Sequence, residues 1–180
     1  MHSASSTGAL PLRPRSIRGS ELPHVFTAPE IIHREHVARN QKVVVVGSGM
    51  TGLETAEILN ETGNEVTVLE MADEIAPGTW FQLVDDEMER LKPYGTKFLP
   101  SHRLLEIQPG EIIAADHKAR RVVHIPADCV VLSLGVRPEN RLAEELAKMF
   151  PRVYAVGDAV KSGTIADAVK SANAVCDSIR

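Results

Sequence analysis

The sequence predicts an α/β fold in which helices flank a parallel sheet and a small antiparallel β-meander is inserted late in the chain. Three observations carry that prediction. Val43 to Val46 is an unbroken β-branched run, which suits a strand buried on both faces of a parallel sheet. Leu53, Ala56, Ile58 and Leu59 then recur at helical spacing, and Val66, Val68 and Leu69 mark a second strand after them. Later, Leu104 to Ile107, Glu111 to Ala115 and Arg121 to His124 read as short strands separated by turn residues.

The turn between the first strand and the helix is the most informative stretch. Gly47, Ser48, Gly49, Met50, Thr51 and Gly52 spell G-x-G-x-x-G. The motif follows a strand and opens a helix, and Glu70 stands about 20 residues on, which is the context a dinucleotide site needs. Gly47 permits the tight turn. Gly49 has no Cβ, so a pyrophosphate can approach the main chain. Gly52 lets the helix pack closely on the strand. The free N–H groups of the first helical turn, at the positive end of the helix dipole, then face the phosphates. Glu70 ends the second strand and can accept hydrogen bonds from ribose hydroxyls. These features make the sheet Rossmann-like. The alternative is a glycine-rich turn that binds nothing. Met71, Ala72, Asp73 and Glu74 follow Glu70, with no arginine among them to meet a 2′-phosphate. A carboxylate there repels that phosphate, so NAD(H) is favoured over NADP(H).

Composition sets the outer bounds. The 180 residues are 43% hydrophobic and 24% charged, which is ordinary for one or two small globular domains. Net charge is −4, and only 4% of residues are aromatic, so neither a basic patch nor a stacking platform points to nucleic acid. No apolar run approaches the roughly 18 residues that span a bilayer. No secretory signal is visible. Cys129 and Cys176 lie far apart and outside any C-x-x-C, which fits a reduced, cytoplasmic protein with structural cysteines. No Cys/His cluster has metal-ligand spacing. His102, His117 and His124 form no pattern and read as surface or packing residues.

The remaining elements follow in order. Met1 to Leu22 is rich in Ser, Pro and Arg and alone reads as a tail. Thr27 to Glu35 can form a short helix, with Thr27 as N-cap and Glu30 as its capping-box partner. Gly63 and Asn64 stop the helix that the glycine turn opens. Met71 to Pro77 is a loop. Trp80 to Leu91 carries Phe81, Val84, Met88 and Leu91 near helical spacing, and Pro93-Tyr94-Gly95 ends it. Thr96 to Leu99 is a short strand. Cys129 to Leu134 is a central parallel strand, and Gly135 stands at its carboxyl end, where such sheets bind ligands. Arg141 to Phe150 is helical, Arg152 to Val156 is a strand, and Ile165 to Ile179 is a last helix with an apolar face.

Four motifs in order resemble the class II pyridine-nucleotide flavoprotein reductases. Thr7-Gly8 resembles the turn that leaves the flavin domain in that family, with Ser6 where an alanine is usual. Gly47 to Glu54 resembles its G-x-G-x-x-G-x-E. Leu134 to Asn140 resembles its second signature, at the nicotinamide end. Tyr154-Ala155-Val156-Gly157-Asp158 resembles its returning flavin motif. Among relatives, Arg141-Leu142-Ala143, Pro151 to Tyr154 and Ile165 to Ala168 are similar to the C-terminal part of 2,4-dienoyl-CoA reductases and enoate reductases, the old-yellow-enzyme-type NADH:flavin oxidoreductases.

The resemblance implies a three-part organisation. Residues 1–39 are an N-terminal segment and linker from an FAD domain, 40–150 are the NAD(P)H-binding domain, and 151–180 are a strand and helix of the FAD domain. It implies that Glu54 lies near the nicotinamide and that Gly135 lets the nicotinamide side approach the main chain. Thr7, Gly8, Gly157 and Asp158 are implied as flavin-domain contacts, with FAD bound in the intact enzyme. Where relatives usually carry Thr or Ser before the Gly-Asp pair, Lys148-Met149-Phe150 stand here. The barrel, the iron–sulfur cysteines and the first flavin glycine loop of the larger enzymes are not in these residues, so the chain is expected to be inactive in isolation and to need those missing domains as partners. Hydride delivery from NADH to FAD is the expected function, with no side chain acting as acid, base or nucleophile. A non-catalytic NAD-binding module, or a piece of an NADH oxidase or disulfide-reductase-like enzyme, is the alternative. A short-chain dehydrogenase is disfavoured, because Tyr94 and Tyr154 are followed at catalytic spacing by Phe98 and Asp158 rather than lysine. The apolar face of the last helix needs a cover, either by folding back or in a homodimer.

Overall fold

A computed structural model describes residues 3–5 and 7–179. Met1, His2, Arg180 and the Ser6 position of the flavin-turn resemblance lie outside the described residues. In chain order the strands β1 (Ser3–Ser5) and β2 (Ala9–Pro11) come first. Next are β3 (Val25–Thr27), α1 (Ala28–Ile32), β4 (Lys42–Val46), α2 (Met50–Glu61), β5 (Glu65–Leu69), α3 (Phe81–Leu91) and β6 (Lys97–Leu99). The meander is β7 (His102–Gln108), β8 (Gly110–Asp116) and β9 (Arg121–Ala127), and β10 (Cys129–Leu132) follows it. The chain ends with β11 (Val136–Pro138), α4 (Arg141–Ala147), β12 (Val153–Ala155) and α5 (Ile165–Ser178).

The chain forms two compact units. One is residues 13–134, and the other joins residues 1–12 to 135–180. These breaks differ from the expected ones at 39/40 and 150/151. The reason is strand pairing: β3 joins the parallel sheet from before residue 39, while β11 pairs with β2 rather than with that sheet.

In the larger unit a five-stranded parallel sheet has the order β3-β10-β4-β5-β6. The valine run occupies a strand with neighbours on both sides, β10 and β5. Its alternate residues enter different cores. Val43 and Val45 pack with Leu53, Ala56 and Leu59 of α2 and with Leu91 of α3. Val44 and Val46 pack with Leu104, Ile107, Ile112 and Ala114 of the meander. A strand covered on one face by helices and on the other by a second sheet has no polar face, which explains the unbroken run. Each of these valines is at most 5% exposed, and full burial of one contributes about 1.5–3 kcal/mol. Cys129 to Leu132 repeats the pattern in β10.

Local chemistry sets the element ends. At α1, one carboxylate oxygen of Glu30 accepts from the Thr27 N–H at 2.6 Å and from its hydroxyl at 2.7 Å, and Arg13 bonds the same oxygen at 3.0 Å. At the end of α2, Gly63 adopts φ +81, and the buried Asn64 amide donates to the carbonyls of Leu59 and Ala38. The meander runs three residues beyond its expected end, to Ala127.

The smaller unit pairs β1 with β12 in parallel and β2 with β11 antiparallel. Its α5 opens on a capping box: Thr164 accepts from the Asp167 N–H, and Asp167 accepts from the Thr164 N–H and hydroxyl. No residue of α5 is buried, and Ile165 is 86% exposed.

Candidate functional site

The three motif glycines sit in three different environments. Gly47 holds φ +101, and a Cβ there would stand 2.2 Å from the Ser133 carbonyl oxygen. At Gly52 a Cβ would stand 2.1 Å from the Gly47 carbonyl oxygen. Both glycines are therefore required by the protein's own packing. Gly49 differs: a Cβ there meets no protein atom within 4 Å. The open space beside Gly49 faces solvent, and it leaves the main chain accessible to a ligand.

Gly49 is also the N-cap of α2. Its carbonyl accepts from the N–H groups of Gly52 and Leu53, which leaves those of Met50 and Thr51 as groups that the helix itself cannot satisfy. The first turn carries no acidic residue of its own. Glu54, one turn further on, is exposed.

A cleft of about 350 Å³ opens at the carboxyl ends of β4, β5 and β10. Gly47, Ser48, Gly49 and Glu70 line it, with Met71 and Arg103. Its apolar wall comes from Val46, Leu69, Leu104 and Leu134.

Glu70 is bound into the glycine turn. Its Oε2 accepts from the Ser48 N–H at 2.9 Å and the Ser48 hydroxyl at 2.7 Å, while Oε1 accepts from the Ala72 N–H at 2.8 Å. The Ser48 oxygen in turn accepts from the Ala76 N–H at 2.8 Å. Burial acts to raise the Glu70 pKa, but these donors outweigh it and hold the carboxyl below the ordinary glutamate value. The group is ionised at neutral pH. It can accept from a hydroxyl, and it presents a fixed negative charge to the cleft.

The other expected residues lie in the smaller unit. Gly135 adopts φ +85, and its carbonyl accepts from the Leu12 N–H at 2.9 Å. Thr7 donates its hydroxyl to the Glu139 carbonyl, whose residue donates its own N–H to the Gly8 carbonyl at 3.1 Å. Gly157 donates to the Ser171 hydroxyl at 2.8 Å, and Asp158 accepts from the Gly163 N–H. The fold thus gathers Gly47, Ser48, Gly49 and Glu70 into one cleft and puts Gly52 beneath them. Thr7 and Gly8 meet Glu139, the residue after β11, within the smaller unit.

Two cleft residues had no signal in the sequence. His102 and Arg103 lie far from the glycine motif along the chain, and His102 read as a surface or packing residue. The His102 N–H donates to the Glu70 carbonyl at 2.8 Å, which brings the start of β7 to the cleft. Among the described residues no group of three His, Cys, Asp or Glu side chains could hold a metal ion, and no helix is long and apolar enough to cross a membrane.

The family model described as pyridine nucleotide-disulphide oxidoreductase matches residues 6–174. The chain is 33% identical over 174 residues to an NADH oxidase of Thermoanaerobacter brockii, covering 92% of this chain and 26% of that protein. It is 34% identical over 142 residues to a bilirubin reductase of Mediterraneibacter gnavus, covering 79% of this chain and 22% of that one. A solved 2-naphthoyl-CoA reductase complex superposes with a TM-score of 0.84 at 27% identity, over 93% of this chain and 25% of its own. The chain therefore spans about a quarter of the length of these relatives.

Proposed function

The chain belongs to the pyridine nucleotide-disulphide oxidoreductase family, and on that premise we propose that it is the NAD(P)H-binding portion of a flavin-dependent oxidoreductase. One observation carries the reading. Gly49 is the motif glycine that packing does not require, and it lies beside an ionised Glu70 in the cleft. A pyrophosphate at Gly49 and the first turn of α2 would place the adenosine ribose toward Glu70.

When both cofactors are bound, the nicotinamide supplies a hydride that the flavin accepts. This chain's residues bind and orient. Gly49, Met50 and Thr51 offer main-chain N–H groups to the pyrophosphate, and Glu70 accepts from the ribose, favouring NAD(H) over NADP(H). Glu54 and Gly135 are assigned to the nicotinamide end by the family resemblance. Thr7, Gly8, Gly157 and Asp158, all in the smaller unit, are assigned in the same way to the FAD domain. Electrons then pass to an enoate- or dienoyl-CoA-type reductase centre in the parent protein. The names of the relatives, two reductases and an NADH oxidase, support this class. The isolated chain would be inactive and cytoplasmic.

Calorimetric titration with NADH and, separately, NADPH tests the reading. Saturable NADH binding with weaker NADPH binding is expected. The opposite preference would keep the site but remove Glu70 as its selector. Binding of neither would leave the glycine turn purely architectural.

A further inference from the structure

No arginine follows Glu70 along the chain, but the fold brings one to it. β7 begins where the His102 N–H donates to the Glu70 carbonyl, and the next residue, Arg103, lines the same cleft as Ser48, Glu70 and Met71. Arg103 is exposed and makes no ion pair among the described residues. Its guanidinium is free to meet an anion.

The Glu70 carboxylate, in contrast, is largely committed. Ser48 supplies two donors to Oε2, which occupy both lone-pair positions of that oxygen. Oε1 already accepts from Ala72. With the Met71 N–H acting on the same carboxylate, fewer positions are left for a ribose hydroxyl than an uncommitted carboxylate offers. Its capacity to select a free 2′-hydroxyl is thereby reduced.

We propose that Arg103 is a second specificity-determining residue of this cleft, one that binds the adenosine 2′-phosphate, so that the chain accepts NADPH with an affinity close to that for NADH. The proposal rests on the dinucleotide reading given above. A guanidinium suits the role because its planar fork can hold two phosphate oxygens at once. The preference conferred by Glu70 is then shallow, and Arg103 is the residue that makes it so.

The test is calorimetric titration of the full chain with NADH and NADPH, repeated on Arg103→Ala, Arg103→Gln and Arg103→Lys. The wild type should bind both nucleotides with dissociation constants within about tenfold of each other. Removing the charge should weaken NADPH by about tenfold or more, the effect of losing hydrogen bonds to a charged group, while NADH changes by less than about threefold. Lysine should restore part of the loss, since it keeps the charge without the fork. NADPH binding should also weaken more steeply with salt than NADH binding. Equal losses for the two nucleotides, or no loss, would overturn the 2′-phosphate role while leaving the dinucleotide site in place. Failure of the wild type to bind either nucleotide would overturn the dinucleotide reading itself, and the Arg103 assignment with it.

Discussion

A methyl group distinguishes the roles of the three motif glycines. Gly52→Ala drives a Cβ into the Gly47 carbonyl, where backbone meets backbone and neither can yield cheaply. We expect it to lower the melting temperature by several degrees. Gly49→Ala meets open space and loses only N-cap preference, so the melt should fall by less than for Gly52→Ala while NADH affinity falls at least about tenfold, because the lost approach is the ligand's. Thermal melts and titrations of the pair separate architecture from binding. Glu70 carries the pH prediction. Its folded pKa is lowered, so the stabilisation from its donors is fully present above the ordinary value of 4.5 and is lost as pH falls through the folded value. Glu70→Gln should therefore cost about 1 kcal/mol at pH 7, and the gap should close in melts recorded below the folded pKa.

At the scale of elements, α2 is held by its buried stripe and α1 by its cap. Leu53 is fully buried between α2 and the sheet, so Leu53→Ala should cost about 2–5 kcal/mol in urea unfolding. The five-residue α1 is too short to be stable alone, and Glu30 ties together Thr27 and Arg13 at its start. Glu30→Ala should cost about 1 kcal/mol, measurable in the same unfolding series. The meander acts as the second cover of the sheet. By placing Ile107, Ile112 and Ala114 against Val44 and Val46, it does what a second layer of helices does in many doubly wound sheets.

For the whole molecule, the chain spans about a quarter of the length of its relatives. Its G-x-G-x-x-G is the one at Gly47, and that one lies in the parallel-sheet unit. The purified chain should therefore carry no stoichiometric flavin, which its visible absorbance spectrum reports. A yellow protein with one flavin per chain would contradict the division of labour proposed above. The helix α5 leaves Ile165 and Val169 exposed, at 86% and 53%. Light scattering should show concentration-dependent self-association that Ile165→Asp diminishes.

The elements that could be read along the chain are those whose physics is local. A strand covered on both faces must be apolar at every position, so Val43 to Val46 declared itself. A tight turn at φ +101 requires glycine, and a helix packed on one side repeats its apolar residues, so the turn at Gly47 and the stripe of Leu53, Ala56 and Leu59 were equally plain. Glu70 was legible as an acid at a strand end, but not its bonds to Ser48 and Ala72. Pairings between distant segments left no local mark. Val25 to Thr27 is too short to show a period, and its place beside β10 comes from hydrogen bonds to residues more than 100 positions away. Ala9–Pro11 finds Val136–Pro138 in the same way. Arg103 reaches the cleft only because β7 starts against the Glu70 carbonyl. Periodicity and glycine placement record how each segment is buried and bent; which segments then meet is set by the long-range pairing of strands, and that pairing brought an arginine to the cleft.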